Sequence, residues 1–229
     1  YKGYKMGQIW GYTSYGLFQS DEEAAKANQS FLSGYKWSAG DVKFEDLDNS
    51  GKIDNGKNTL EDHGDLRIIG NSTPRYQFGI TAGFDWKGID FEMFWQGVAK
   101  RDIFPGGSQF WGFTDEWQTP QTTATDYWTK DNPNAYLPKL HHYGVGGGNR
   151  TTSTRYLQNA AYMRLKNITL GYTLPKSITE KWYITRLRFF VQAENMLTIT
   201  KIKYTDPETL NNMTYPLNKK ISVGVNLTL

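Results

Sequence analysis

Cysteine is absent from all 229 residues, which excludes disulfides, thiolate metal sites and thiol nucleophiles in any compartment. Long apolar runs are missing too: no stretch of about 18 apolar residues occurs, so no transmembrane helix is encoded. An excess of one charge is also lacking. The 26 Lys+Arg stand against 23 Asp+Glu, a net charge of +3 that is too small and too dispersed for a nucleic-acid or polyanion partner. Histidine is scarce, with 3 in the chain: His63, His141 and His142. The adjacent pair would point to opposite sides of a strand and makes no natural chelate, so all three read as exposed loop residues. No Ser-His-Asp or His-Glu grouping has recognisable spacing, and no enzyme is expected. The Gly-rich run Gly144 to Gly148 lacks the Lys and following helix of a phosphate loop, which argues against nucleotide binding. Tyr1-Lys2-Gly3-Tyr4 has no signal-peptide character, and a start in mid-pattern is expected of a piece of a longer chain.

What is abundant is aromatic residues, at 15%, and glycine, at 23 residues, a mixture that suits two-faced strands and tight turns. Tyr76, Phe78, Ile80, Ala82, Phe84 and Trp86 alternate with Gln77, Gly79, Thr81, Gly83 and Asp85, a period of two across about a dozen residues. Lys87-Gly88 is a turn, and Ile89, Phe91, Met93 and Trp95 form the apolar face of a return strand. A third segment, Leu157 to Leu174, changes phase between Leu165 and Ile168, which predicts a bulge near Asn167. Leu187, Phe189, Val191 and Ala193 mark a fourth strand. Ile221, Val223, Val225, Leu227 and Leu229 mark the last.

The joins alternate in length. Lys87-Gly88 and Pro175 to Trp182 are short, whereas 18–74, 98–156 and 195–216 are long. Consecutive antiparallel strands place alternate joins at opposite ends, so one end is trimmed and the other elaborated, as in outer-membrane barrels. Within the first long loop, Ser20-Asp21-Glu22-Glu23 reads as an N-cap opening a helix to about Leu32, ended by Gly34. A soluble β-sandwich also alternates, because one face of each sheet packs on the other. Two features favour the barrel. The strands run to about 10–13 residues, against the ~5–6 usual in soluble sheets, and Tyr76, Trp86, Trp95 and Tyr172 stand where interfacial girdles would lie.

Three phrases carry a family resemblance: G-D-L-R-I-I-G-N-S-T-P-R-Y-Q-F-G at Gly64 to Gly79, Y-M-R-L-K-N-I-T-L-G-Y-T-L-P at Tyr162 to Pro175, and the final strand. With I-W-G-Y-T-S-Y-G-L-F-Q-S at Ile9 to Ser20, they resemble the C-terminal part of SusC/RagA-type TonB-dependent transporters, in the family's order and across nearly the whole chain. The resemblance implies an all-β, antiparallel transmembrane barrel segment, residues 1–229 supplying the last ~6 strands of a plugged barrel of roughly 22. It implies a Gram-negative outer membrane with the C-terminus on the periplasmic side, import of glycans, glycopeptides or peptides, a SusD-like surface lipoprotein as lid, TonB engaged through an upstream region, and lipid around the barrel. Family members usually end on an aromatic residue, where this chain has Leu229. The reading from another class is a secreted, cation-binding β-sandwich that binds carbohydrate.

Asp46-Leu47-Asp48-Asn49-Ser50-Gly51-Lys52-Ile53-Asp54 matches the first nine positions of an EF-hand-like loop, with oxygen ligands at Asp46, Asp48 and Ser50, the Lys52 carbonyl at the seventh position and Asp54 at the ninth. Lys57 stands where a bidentate acid is expected. In the family an Asp precedes the R-x-x-I-G-like phrase, which implies Asp65 as that ligand, with Glu61 and Asp62 as substitutes, and structural Ca²⁺ as the ion. An acidic turn held by its own hydrogen bonds is the simpler account. The aromatic loop 98–156 offers Trp111, Trp117, Trp128 and Tyr143 for substrate or partner contact, unless they form a small core inside the loop. Asp90, Glu92, Arg186, Arg188 and Glu194 sit on polar strand faces, where the barrel reading makes them lumen charges.

Overall fold

The computed structural model describes residues 3–29, 35–112, 117, 119, 122–141, 147–210, 215 and 217–229. Its strands are β1 (Gln8–Gly11), β2 (Ser14–Leu17), β3 (Val42–Phe44), β4 (Arg67–Asn71), β5 (Arg75–Trp86), β6 (Ile89–Lys100), β7 (Asp102–Ile103), β8 (Gln158–Asn159), β9 (Tyr162–Thr173), β10 (Arg186–Thr200) and β11 (Lys220–Thr228). The helices are short: α1 (Asp21–Lys26), α2 (Ser108–Trp111) and α3 (Lys176–Thr179). Among the described residues no helix is long and apolar enough to cross a membrane. The chain divides into two compact units, one of residues 1–73, 102–159 and 203–205, the other of residues 74–101, 160–202 and 206–229.

The second unit is one antiparallel sheet in the order β11-β10-β9-β6-β5. The hairpin turn falls at Lys87 and Gly88, both at positive φ, as a two-residue loop between twisted strands requires. Register places Trp86, Phe84, Ala82 and Ile80 opposite Ile89, Phe91, Met93 and Trp95. Those in turn pair with Tyr172, Leu170, Ile168 and Leu165. Met93 and Trp95 are two residues apart, their partners on β9 three, and the corresponding Ala193 and Leu197 on β10 four. Lys166 is therefore the extra residue of β9, one position from the expected bulge, and β10 absorbs the rest with Asn195 at φ 53.

One face of the sheet is consequently apolar from edge to edge. Aromatic rings cover glycines of neighbouring strands on both faces: a side chain at Gly97 would meet the Phe78 ring, one at Gly79 the Phe94 ring, and one at Gly224 the Phe190 ring. Each ring takes apolar area that a bare glycine leaves unpacked and pins the register.

The first unit is a folded loop assembly with its own core. Tyr12, Leu17, Val42, Phe44, Ile53, Phe110, Trp111, Trp128, Leu137 and Tyr156 are buried together. Tyr156, fully buried, packs edge-on against Phe110, Trp111 and Tyr136 at centroid distances of 5.8, 4.9 and 5.7 Å. Its hydroxyl accepts from Arg155 Nε at 3.1 Å, and burial pushes its pKa up.

Helix α1 starts as its sequence predicts: the Ser20 hydroxyl accepts from Glu23 N at 3.2 Å, and Glu23 accepts from Gln19 N at 2.8 Å. Its length departs from expectation. The helix stops at Lys26, with Ala27 extended, because the buried Gln29 side chain is taken by β3, donating to the Val42 carbonyl at 3.2 Å and accepting from Phe44 N at 2.8 Å. These two side-chain bonds hold Gln29 against β3 and outside the helix; Leu32 and Gly34, where the sequence predicts the helix to end, lie outside the described residues.

Candidate functional site

The five-stranded sheet separates two environments. Val223, Val225 and Leu227 are 78, 54 and 53% exposed, and Ile80, Phe84, Leu170, Phe189, Leu197 and Ile199 on the same face are exposed as well. Together these side chains make one contiguous exposed apolar face, the kind of surface that marks contact with lipid or a partner. Trp86 and Tyr172 lie at the turn end of this face, opposite Ile89. Trp95 sits in mid-strand, paired with Ile80 and Leu165, so it is not a terminal girdle residue.

The opposite face carries the charges. Arg188 Nε donates to Asp90 Oδ1 at 2.8 Å and its NH2 group pairs with Asp90 Oδ2, a two-point clamp. These residues belong to β10 and β6, so the pair spans the intervening β9. It does so over Gly171, where an added Cβ would lie 2.5 Å from Arg188 NH2 and from both Asp90 oxygens. The missing side chain at Gly171 is what lets the pair close. Beside it is a concavity of about 480 Å³ lined by Asp85, Glu92, Arg186 and the clamped pair, among others. Glu92 and Arg186 are exposed, and Glu194 is half-buried with Gln192 Nε2 at 3.4 Å. The five charges predicted on this face are all there, but Asp90 and Arg188 alone among them form an ion pair within the described residues.

In the first unit, Asp46, Asp48 and Asp65 each bring an oxygen within 4.8 Å of the others. Asp65 is fully buried. Its Oδ1 accepts from Leu47 N at 2.7 Å and Asp48 N at 3.4 Å, and its Oδ2 from Asp54 N at 2.9 Å. Asp46 accepts from Ser50 N and Gly51 N at 3.1 and 2.8 Å, and Asp48 from Ser50 N at 2.9 Å. The Ser50 hydroxyl, and after it the Ser50 amide, hold the Asp48 carboxyl below its ordinary pKa. Gly51, at φ 78, makes the sharp turn.

The other three expected ligands have partners of their own. Asp54 pairs with Lys52 Nζ and accepts from Gly56 N at 2.8 Å, which lowers its pKa. Ser50 Oγ donates to the Lys52 carbonyl at 3.0 Å, so the Ser50 hydroxyl and that carbonyl satisfy each other. Of the four carboxylates expected on the ion, three by loop position and Asp65 by the family phrase, those of Asp46, Asp48 and Asp65 converge while Asp54 turns to Lys52.

The aromatic contacts expected of loop 98–156 are corrected in part. Trp111 and Trp128, each 7% exposed, are core residues, because a loop assembly of this size needs large rings to fill its interior. Trp117 is exposed. Tyr143 and His142 lie outside the described residues.

His141, expected on the surface, instead pairs through Nε2 with the fully buried Asp41. Asp41 also accepts from Asn149 Nδ2 at 2.8 Å and Ser38 N at 2.8 Å. His63 packs on Trp10 at 5.4 Å. Neither partner was legible, since Asp41 and His141 are 100 residues apart with no periodicity linking them.

No family model matches the chain. Sequence relatives include TonB-dependent receptor P3 of Formosa agariphila, 27% identical over 207 residues, which cover 90% of this chain and 19% of that protein. TonB-dependent receptor P39 of the same organism is 23% identical, covering 99% of this chain and 25% of its own length. Among solved structures, the RagAB peptide transporter is 22% identical with a TM-score of 0.66, over 96% of this chain and 22% of that one. The RagAB peptide importer in the open-open state is also 22% identical, with a TM-score of 0.66 over 100% and 24%. The chain thus spans about a fifth to a quarter of the length of these proteins. The fold is that of an antiparallel β-barrel segment with long loops. In sequence the chain is similar to TonB-dependent receptors and in fold to the RagAB transporters, in line with the resemblance of its own phrases.

Proposed function

We propose that the full-length protein is an outer-membrane transporter that imports peptides or glycans by TonB-driven gating, and that this chain supplies part of its wall. The observation that carries the reading is the pair of unlike faces on one sheet: a bare apolar face from β5 to β11 and a charged, clamped face behind it. Lipid is the solvent that suits the first face, because it leaves apolar side chains unexposed to water while the strand ladder satisfies the backbone. The second face lines the lumen.

A secreted sandwich would bury Val223, Val225 and Leu227 under a second sheet, and their exposure speaks against it. The charged residues act by position, without a covalent step. The short joins lie on the periplasmic side with the C-terminus, and the long joins lie outside the cell, where a SusD-like lipoprotein closes over the transporter. RagAB, similar in fold, is a peptide transporter, which favours peptide over glycan as the substrate class.

Asp46, Asp48 and Asp65 fit a hard cation such as Ca²⁺, since they offer convergent carboxylate oxygens beside a Gly turn. The ion would offset two of the three negative charges and stiffen the loop. It takes no part in translocation.

The test is cellular. The full-length protein should fractionate with the outer membrane, and its deletion together with deletion of TonB should each abolish growth on a peptide mixture. Recovery as a detergent-free soluble protein would overturn the reading.

A further inference from the structure

The polar face carries a second, more buried charge cluster. Arg164 on β9 is 3% exposed. Its Nε donates to Thr198 Oγ1 of β10 at 2.8 Å, its NH2 group pairs with Asp206, and its NH1 lies 3.2 Å from Glu208. Lys166, the bulge residue of β9, pairs with the same Glu208 at 3.0 Å. Asp206 and Glu208 come from one short turn after β10: Asp206 Oδ1 accepts from Glu208 N and its carbonyl from Leu210 N, both at 2.9 Å, with Pro207 buried between them.

Topology gives this turn its meaning. In the sheet order β10 lies between β9 and β11, so a connection leading from β10 to β11 has no need to approach β9. Here it folds back across the polar face of β10, over Thr198, and anchors on β9. Arg164 pairs with Gln96 and Thr198 across the ladder, which places the anchor on the charged face and away from the apolar one. A buried guanidinium is costly without its carboxylates, and at this exposure salt screens the pairs little. The turn is therefore held down firmly, at the end of the sheet away from the Lys87-Gly88 hairpin.

We propose that the turn Asp206–Leu210 is a strap folded inward over the polar face, which narrows the path along that face and sets the upper size of the solute that passes. This rests on the reading that the polar face lines the lumen.

The test uses the full-length transporter with Asp206→Asn and Glu208→Gln combined, isosteric changes that keep the cap on the Glu208 amide. Hydrogen exchange in detergent should quicken by about tenfold or more at Glu208 and Leu210, while the β9–β10 ladder amides keep their protection. Combining Arg164→Asp with Asp206→Arg should restore slow exchange at Leu210, whose acceptor is the Asp206 backbone carbonyl. In cells the double variant should import a ladder of peptides with its length limit shifted upward, taking the longer members at a rate about threefold or more above wild type relative to the shorter ones. Unchanged exchange at Leu210 overturns the strap. Faster exchange with an unchanged length limit overturns its role in size selection. Neither outcome touches the transporter reading, which stands or falls on outer-membrane location.

Discussion

Replacing Asp65 tests how the acidic loop is built. The carboxylate is fully buried and takes two well-placed amides, Leu47 at 2.7 Å and Asp54 at 2.9 Å, with a weaker third, Asp48, at 3.4 Å. A hydrogen bond to a charged acceptor contributes about 1.5–3 kcal/mol, and a buried amide left unpaired costs about 1–3 kcal/mol. Asp65→Ala should therefore weaken the loop by about 3–5 kcal/mol. Asp65→Asn keeps one acceptor oxygen and turns the other into a donor facing amides, so it loses either the Leu47 side or the Asp54 side, about 2 kcal/mol. Amide exchange at Leu47 and Asp54 reads this directly: about 100-fold faster or more in the Ala variant and about 30-fold in the Asn variant, at whichever amide loses its acceptor. Calcium titration of the same proteins should show weaker binding in both. Exchange within threefold of wild type in Asp65→Ala would show that the loop holds itself without this residue, and the reasoning would fail.

Other perturbations probe the remaining features. Gly171→Ala puts a methyl group where the Asp90–Arg188 pair closes; with those side chains 27 and 14% exposed, the loss should be about 1–3 kcal/mol in denaturant unfolding of the micelle-bound protein. Asp46→Asn should reduce Ca²⁺ affinity at least about tenfold in calorimetry while the Asp65 amides stay protected. Tyr156→Leu empties the centre of an aromatic cluster and should cost about 2–4 kcal/mol, read as faster proteolysis of the loop assembly. Lys43 lowers the Glu23 carboxyl pKa, with help from Gln19 N. A lowered folded value stabilises above the unfolded pKa, and that contribution is lost as pH falls through the folded one. Acidification from about pH 5 downward should thus loosen α1 by roughly 0.5 kcal/mol, since the pair is partly exposed; unchanged exchange at Ala24 across that range would refute it.

The period of two was enough to read the hairpin at Lys87-Gly88, the five long strands of its sheet and the bulge beside Asn167. Alternation is a local property, and each strand states its own two faces. Asp65 came from the family phrase around Gly70, because the insertion between Asp54 and Asp65 breaks the usual loop spacing. The choice between core and contact for Trp111 and Trp128 was not written locally, since both are aromatic residues in a long loop and only a count of what surrounds each ring separates them. The same holds for His141, whose partner Asp41 is 100 positions away.

By itself the sequence determined which side chains share a face, where the chain turns and that no thiol chemistry occurs, all of which follow from residue type at short spacing. Tertiary structure alone decided which charges meet. Arg188 reaches Asp90 over Gly171, Asp206 and Glu208 fold back to Arg164, and Asp54 leaves the acidic cluster for Lys52. Ion pairing depends on positions in space within a few ångströms, and strand order and loop path, which no local pattern encodes, set those positions.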